Sequence, residues 1–180
     1  SWQKVLGGEG AHGMLVLSRY PIDEAKVRSF QLLKWSAMPG AIRPVDPRTG
    51  KSFYNDHVWS QLRLSSKSHW DVPVKTPAGV VHALVSHPTP PVFDGPEKRN
   101  AARNHDELRL WKEYLDGGDA PWLCDDQGRC GGLAADARFD FFHGKRFNHV
   151  VVRAFGEADE LVVERVARGE HQHRRVAFRR

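Results

Sequence analysis

The sequence predicts an α/β fold, and three observations carry that expectation. Short β-forming runs stand at 14–17 and 80–87, an alternating run stands at 58–65, and one capped, striped helix begins near Asn104. At 180 residues the chain has one domain's worth of length, or forms a piece of a larger domain. Its composition, 40% hydrophobic and 27% charged, is that of a globular chain and excludes wholesale disorder.

The run 13–18, Gly-Met-Leu-Val-Leu-Ser, is continuously apolar at its centre and stops before Pro21, so it reads as a buried strand. Pro39, Gly40, Pro44, Pro47 and Gly50 make 36–56 a long loop or a hairpin rim. Residues 58–65 alternate as a strand with one buried face. In the strand 80–87, alternation sets Val81, Ala83, Val85 and His87 on one side and Val80, His82, Leu84 and Ser86 on the other. Pro88, Pro90 and Pro91 end it. Asn104 and Glu107 have the spacing of a capping box, Leu108, Trp111 and Leu115 form a stripe, and Gly117 and Gly118 close the helix. Further strands are expected at 149–152 and 161–163.

Charge and composition change near Phe139. The net charge of +5 is compatible with an anionic ligand without requiring one. Residues 139–180 contain no Pro, Ser, Thr, Trp or Tyr and are rich in Arg, so they read as a separate basic segment with a solvated, mobile end. No apolar run reaches the roughly 18 residues of a membrane span. The two cysteines, Cys124 and Cys130, exclude a disulfide scaffold and a four-cysteine zinc site. They bracket a turn-like spacer that suits either one small-loop disulfide or two thiols near a hairpin.

Polar chemistry concentrates in two segments, 65–71 and 86–100, each read as a loop leaving a strand. Rigid strand ends aim loop side chains at a common point. Lys67, His69, His87, Lys98, Arg99 and Arg103, with several hydroxyls, form a set suited to phosphate or another oxyanion. His82 is expected to be covered, Asp94 to begin a turn, and Asp106 and Glu107 to serve the helix start. Phosphate-loop, nucleophile-elbow and His-Glu-x-x-His zinc motifs are absent.

Three stretches carry a resemblance: GMLVLSRYPI at 13–22, LSSKSHWDVPV at 64–74, and VHALVSHPTPPVFDGPEKRN at 81–100 followed by RNHDE at 103–107. In this order they resemble the endonuclease/exonuclease/phosphatase family, the DNase I-like phosphoesterases, over about residues 10–138. The resemblance implies a four-layer α/β sandwich and hydrolysis of a phosphodiester or phosphomonoester aided by a divalent cation, usually Mg²⁺. It implies that His87 hydrogen-bonds the scissile phosphate or assists the leaving group. Lys67, His69, Arg103 and Asn104 follow as phosphate or substrate contacts. Nucleic acid, a sugar or inositol phosphate and a lipid headgroup all fit as substrates.

The family's early Asn and metal-binding Glu would precede Gly13, and its Gly-Asp-Leu-Asn and Ser-Asp-His motifs are missing, with ARFDFFHG standing at 137–144. No metal ligand is therefore assigned. The chain is expected to hold the central part of such a domain at 1–138 and an Arg- and His-rich segment of unrelated origin at 139–180. Two further readings follow: a non-catalytic anion or nucleic-acid binder using the basic loops and tail, and an inert fragment with open sheet edges.

Overall fold

A computed structural model of the chain describes residues 3–7, 14–133, 139–142 and 151–154, with side chains over 14–133. In chain order the elements are β1 (Gln3–Gly7), β2 (Met14–Ser18), β3 (Arg28–Ser29), α1 (Asp56–Gln61), β4 (His69–Thr76), β5 (Gly79–Ser86), α2 (Arg99–Asp116), β6 (Phe139–Phe142) and β7 (Val151–Ala154). β1 pairs with β2, β6 pairs with β7, and β3-β4-β5 form a three-stranded sheet. All pairings are antiparallel. Mixed helix and sheet agree with the expected α/β class.

The β3-β4-β5 sheet is covered on both faces, which explains the composition of its strands. Trp70, Val72 and Val74 of β4, with Ala83 and Val85 of β5, pack into one apolar cluster with Met14, Val16 and Ile22. Leu84 of β5 points the other way, into a larger cluster with Phe30, Trp35, Leu64, Leu110, Trp111 and Tyr114. The expected alternation along β5 is observed, and each half meets its own core. Along β4 the alternate residues His69 and Asp71 are polar yet buried.

β4 carries a proline between two partners. Asp23 N–H donates to Pro73 O at 2.9 Å and Lys75 N–H to Pro21 O at 2.8 Å, so the main-chain groups of residues 73 and 75 face the 21–23 segment. The N–H that Pro73 lacks is thus missing from that short bridge and not from the β5 ladder, where Pro73 stands opposite His82. Pro73 masks this strand in the sequence.

Four local expectations need correction. The strand expected at 58–65 is instead α1 and the turn after it. Asn55 Oδ1 accepts from Val58 N–H at 2.8 Å, and this cap starts a helix that places Trp59 against Trp35, ring centroids 4.9 Å apart. β2 is not buried on both faces: it alternates, with Leu15 and Leu17 51% and 57% exposed. Residues 69–71 are strand and not loop.

The helix α2 begins five residues before Asn104. Its N-cap residue, Lys98, makes no side-chain bond to the helix; Asp94 supplies the capping side chain from upstream, its Oδ1 and Oδ2 accepting from Asn100 N–H at 2.6 Å and Ala101 N–H at 2.8 Å. The buried stripe runs through Ala102, Asp106, Glu107, Leu110, Trp111 and Tyr114, leaving Leu108 exposed. Gly117, at φ 69°, ends the helix as expected.

Cys124 and Cys130 form a disulfide, which settles that alternative. The loop it closes docks beside β3: Asp126 accepts from Ser29 Oγ–H at 2.6 Å and Leu32 N–H at 2.7 Å, and Asp125 accepts from Arg28 Nε–H at 3.1 Å. The strand expected at 149–152 overlaps β7. That at 161–163, the boundary at 138 and the mobile end lie outside the described residues. No helix among the described residues is long and apolar enough to cross a membrane.

Replacing Asp94 by Ala removes the acceptor for two N–H groups at the start of α2. We expect a loss of about 1 kcal/mol in urea unfolding, with the fold retained by circular dichroism.

Candidate active site

The face of the sheet turned toward α2 is a row of buried polar groups, and the helix answers it residue by residue. Tyr114 O–H donates to Asp71 Oδ2 at 2.5 Å, and Trp111 Nε1–H donates to Ser86 Oγ at 2.9 Å. His69 Nε2–H donates to the Glu107 carbonyl at 2.9 Å. Residues 107, 111 and 114 fall on one helical face, so a single packing orientation satisfies all three. His82 Nδ1–H donates to both Asp71 oxygens, at 2.8 and 3.0 Å. The covered position expected for His82 is thus explained by a hydrogen-bond partner.

Two adjacent carboxylates on α2 hold the loops. Asp106, fully buried, accepts from Trp35 Nε1–H and Ile42 N–H, both at 2.7 Å, and so fastens the 35–42 segment. Glu107, also fully buried, accepts from Thr89 N–H at 2.5 Å through Oε2. The Ser65 and Thr89 hydroxyls and the Arg103 charge also act on its carboxyl. Asn104 Nδ2–H donates to Thr89 O at 2.7 Å. Both polar segments singled out in the sequence therefore meet at Glu107, and neither carboxylate merely serves the helix start.

His87 follows the last residue of β5 and is half-buried. The residues on either side of it are fixed by α2: Ser86 through Trp111, and Thr89 through Asn104 and Glu107. Arg103 lies at the same helical level, its guanidinium 5.1 Å from the Trp35 ring centroid and its Nη2–H donating to Arg63 O at 3.2 Å. Lys67 is half-buried, and its N–H donates to Ser65 Oγ at 3.2 Å.

Of the five expected site residues, Asn104 reaches the turn that carries His87 through the Thr89 carbonyl, while Arg103, its neighbour on α2, faces Trp35 and the Arg63 carbonyl. Lys67 sits on the neighbouring 65–68 turn. His69 is fully enclosed and meets the site through its bond to the Glu107 carbonyl and its pairing with Ser86. The sequence reading missed Glu107 as the hub and Asp71 with Tyr114 as the brace beneath it. The spacing of Asn104, Glu107, Trp111 and Tyr114, polar or amphipathic at i, i+3, i+7 and i+10, was the available signal.

Electrostatics follow from enclosure. Burial holds the His69 imidazole at about 4, against the smaller upward pull of the Glu107 carbonyl that it faces. Burial raises the Glu107 carboxyl above its ordinary value, partly offset by the Thr89 amide and then the Thr89 and Ser65 hydroxyls. Burial and the Asp71 charge push the Tyr114 phenol upward, so it stays protonated as a donor. Among the described residues no group of three or more His, Cys, Asp and Glu side chains could hold a metal ion.

His69 supplies a pH dependence whose sign is fixed. The unfolded chain takes up a proton near 6.5 and the folded chain only near 4, so stability is complete above 6.5 and declines as pH falls through that window. The slope reaches about 1.4 kcal/mol per pH unit for one proton. Glu107, shifted upward, contributes with the opposite sign. Urea unfolding free energies between pH 4 and 6.5 should rise more steeply with pH for the parent chain than for His69→Asn, with Glu107 reducing the net slope of both.

Comparison with known proteins gives one match: the profile of the Endonuclease/Exonuclease/phosphatase family aligns with residues 2–154. Searches of curated proteins and of solved structures gave no match.

Proposed function

The chain belongs to the endonuclease/exonuclease/phosphatase family, whose fold is the DNase I-like α/β fold, and from that premise we propose that it is a phosphoesterase with its substrate at the 65–68 and 87–89 turns. The family generally hydrolyses phosphate esters with divalent metal ions. The observation that carries the reading is the fixing of both flanks of His87 by α2, within a family whose substrates are phosphate esters.

In this reading the His87 imidazole hydrogen-bonds a phosphoryl oxygen and passes a proton to the departing oxygen, a role open to a ring whose nitrogens can both donate and accept a proton. Arg103 and Lys67 offset phosphate charge, Arg103 with its guanidinium plane already set by Trp35 and the Arg63 carbonyl. Asn104 and His69 act behind them, one on the 89 carbonyl and the other on the Glu107 carbonyl. The described residues offer no metal-ligand cluster, so no step is assigned to a cation.

The test is hydrolysis of bis(p-nitrophenyl) phosphate and p-nitrophenyl phosphate, with Mg²⁺ and with EDTA. We expect turnover only with the cation, and a fall of about 10²- to 10⁴-fold in His87→Ala. Turnover that survives in His87→Ala overturns the role of that residue. Binding of an oligonucleotide without turnover, weakening steeply with salt, supports the non-catalytic anion binder instead.

A further inference from the structure

Glu107 is a fully buried carboxylate that no substrate can reach, yet it sits where three separate parts of the site converge. Its Oε2 receives the Thr89 amide at 2.5 Å, its main-chain carbonyl receives His69 at 2.9 Å, and its carboxyl feels the hydroxyls of Ser65 and Thr89. One turn before it, Asn104 holds the Thr89 carbonyl at 2.7 Å, and one turn after it, Trp111 holds Ser86 Oγ at 2.9 Å. The helix therefore seizes the chain on both sides of His87, at 86 and at 89, and binds both the N–H and the C=O of Thr89. The three gripping residues span two turns of one helical face. The 86–89 turn includes Pro88, whose ring limits φ on its own residue and restricts His87 before it. Fixing Ser86 and Thr89 thus leaves the His87 backbone little freedom.

We propose that Glu107 is the positioning residue of this site, setting the place of the His87 imidazole by holding the Thr89 amide, with Asn104 and Trp111 completing the grip. The proposal deepens the phosphoesterase reading and rests on it for the role of His87, but the grip itself stands on geometry alone. A hydrogen-bond acceptor is what Thr89 N–H requires, and a charge is not. The low-dielectric surroundings of the carboxyl favour its neutral form. Gln, which keeps a carbonyl oxygen at the same reach, should therefore substitute where Ala cannot. A residue that only fills space would show no such preference.

The test uses the full chain in four forms: parent, Glu107→Gln, Glu107→Ala and Asn104→Ala. Two NMR readouts need no catalysis: the pH titration of the His87 ring resonances and the hydrogen-exchange rate of the Thr89 amide. In Glu107→Gln both should stay close to the parent. In Glu107→Ala, Thr89 exchange should quicken at least tenfold and the His87 ring shifts should move. Asn104→Ala should move the His87 shifts in the same sense by a smaller amount, and it carries the test should Glu107→Ala fail to fold. Parent-like His87 shifts and Thr89 exchange in a folded Glu107→Ala chain, or in Asn104→Ala where Glu107→Ala does not fold, overturn the proposal. So does a Gln form as perturbed as the Ala form. Hydrolysis measured on the same variants should lose kcat in Glu107→Ala with KM nearly unchanged, and recover in Glu107→Gln. A parent chain without turnover whose His87 still responds as described would defeat the phosphoesterase reading and leave the grip standing.

Discussion

A buried carboxyl on α2 is the constraint around which the rest of this chain is arranged. Enclosing Glu107 carries a desolvation cost of a few kcal/mol unless partners replace the lost water. Oε2 takes the Thr89 amide, 18 residues away on the 86–89 turn, while Oε1 has no hydrogen-bond partner among the described residues. An arrangement that encloses the carboxyl without the Thr89 amide is penalised further, so the 86–89 turn is held to α2, and the bond from His69 to the Glu107 main-chain carbonyl holds the start of β4 there as well. Asp106 repeats the device one residue earlier, with the Trp35 indole and the Ile42 amide as its partners.

This explains why the middle sheet is built unequally. Its far face is aliphatic and aromatic and needs only close contact with Met14, Val16 and Ile22. Its near face mixes Leu84 with Ser86, His69, Asp71 and His82; α2 supplies partners to Ser86, His69 and Asp71, and Asp71 in turn holds His82. An apolar interface tolerates sliding, whereas directional bonds do not. Leu110 and Trp111 supply the burial, and the polar pairs select one orientation of the helix on the sheet. That selection fixes Ser86 and Thr89, the residues that flank the His87–Pro88 pair.

Much of this was legible in the sequence where a single residue pattern decides the outcome. β5 alternates cleanly, Pro88 ends it, Gly117 ends α2, and the GMLVLSRYPI and VHALVSHPTPP stretches point to the family. The misreadings share one physical cause, which is that a distant partner outweighs a local pattern. Asn104 and Glu107 have the spacing of a cap, but their partners lie on the 86–89 turn and the capping side chain is that of Asp94. Residues 58–65 alternate, yet Asn55 and the contact between Trp59 and Trp35 favour a helix. β4 was hidden because Pro73 and the polar residues His69 and Asp71 look unlike a central strand until both covering layers are in place.

Pro73 also limits which mistakes the chain can make while folding. Shift β4 by one residue against β5, and the proline nitrogen turns toward the ladder where a donor is required. The same shift would drive Trp70 and Val72 into the helix-facing polar row and expel Asp71 toward the aliphatic side. A ring that cannot donate thus proofreads strand alignment, making the neighbouring register costly on both faces at once.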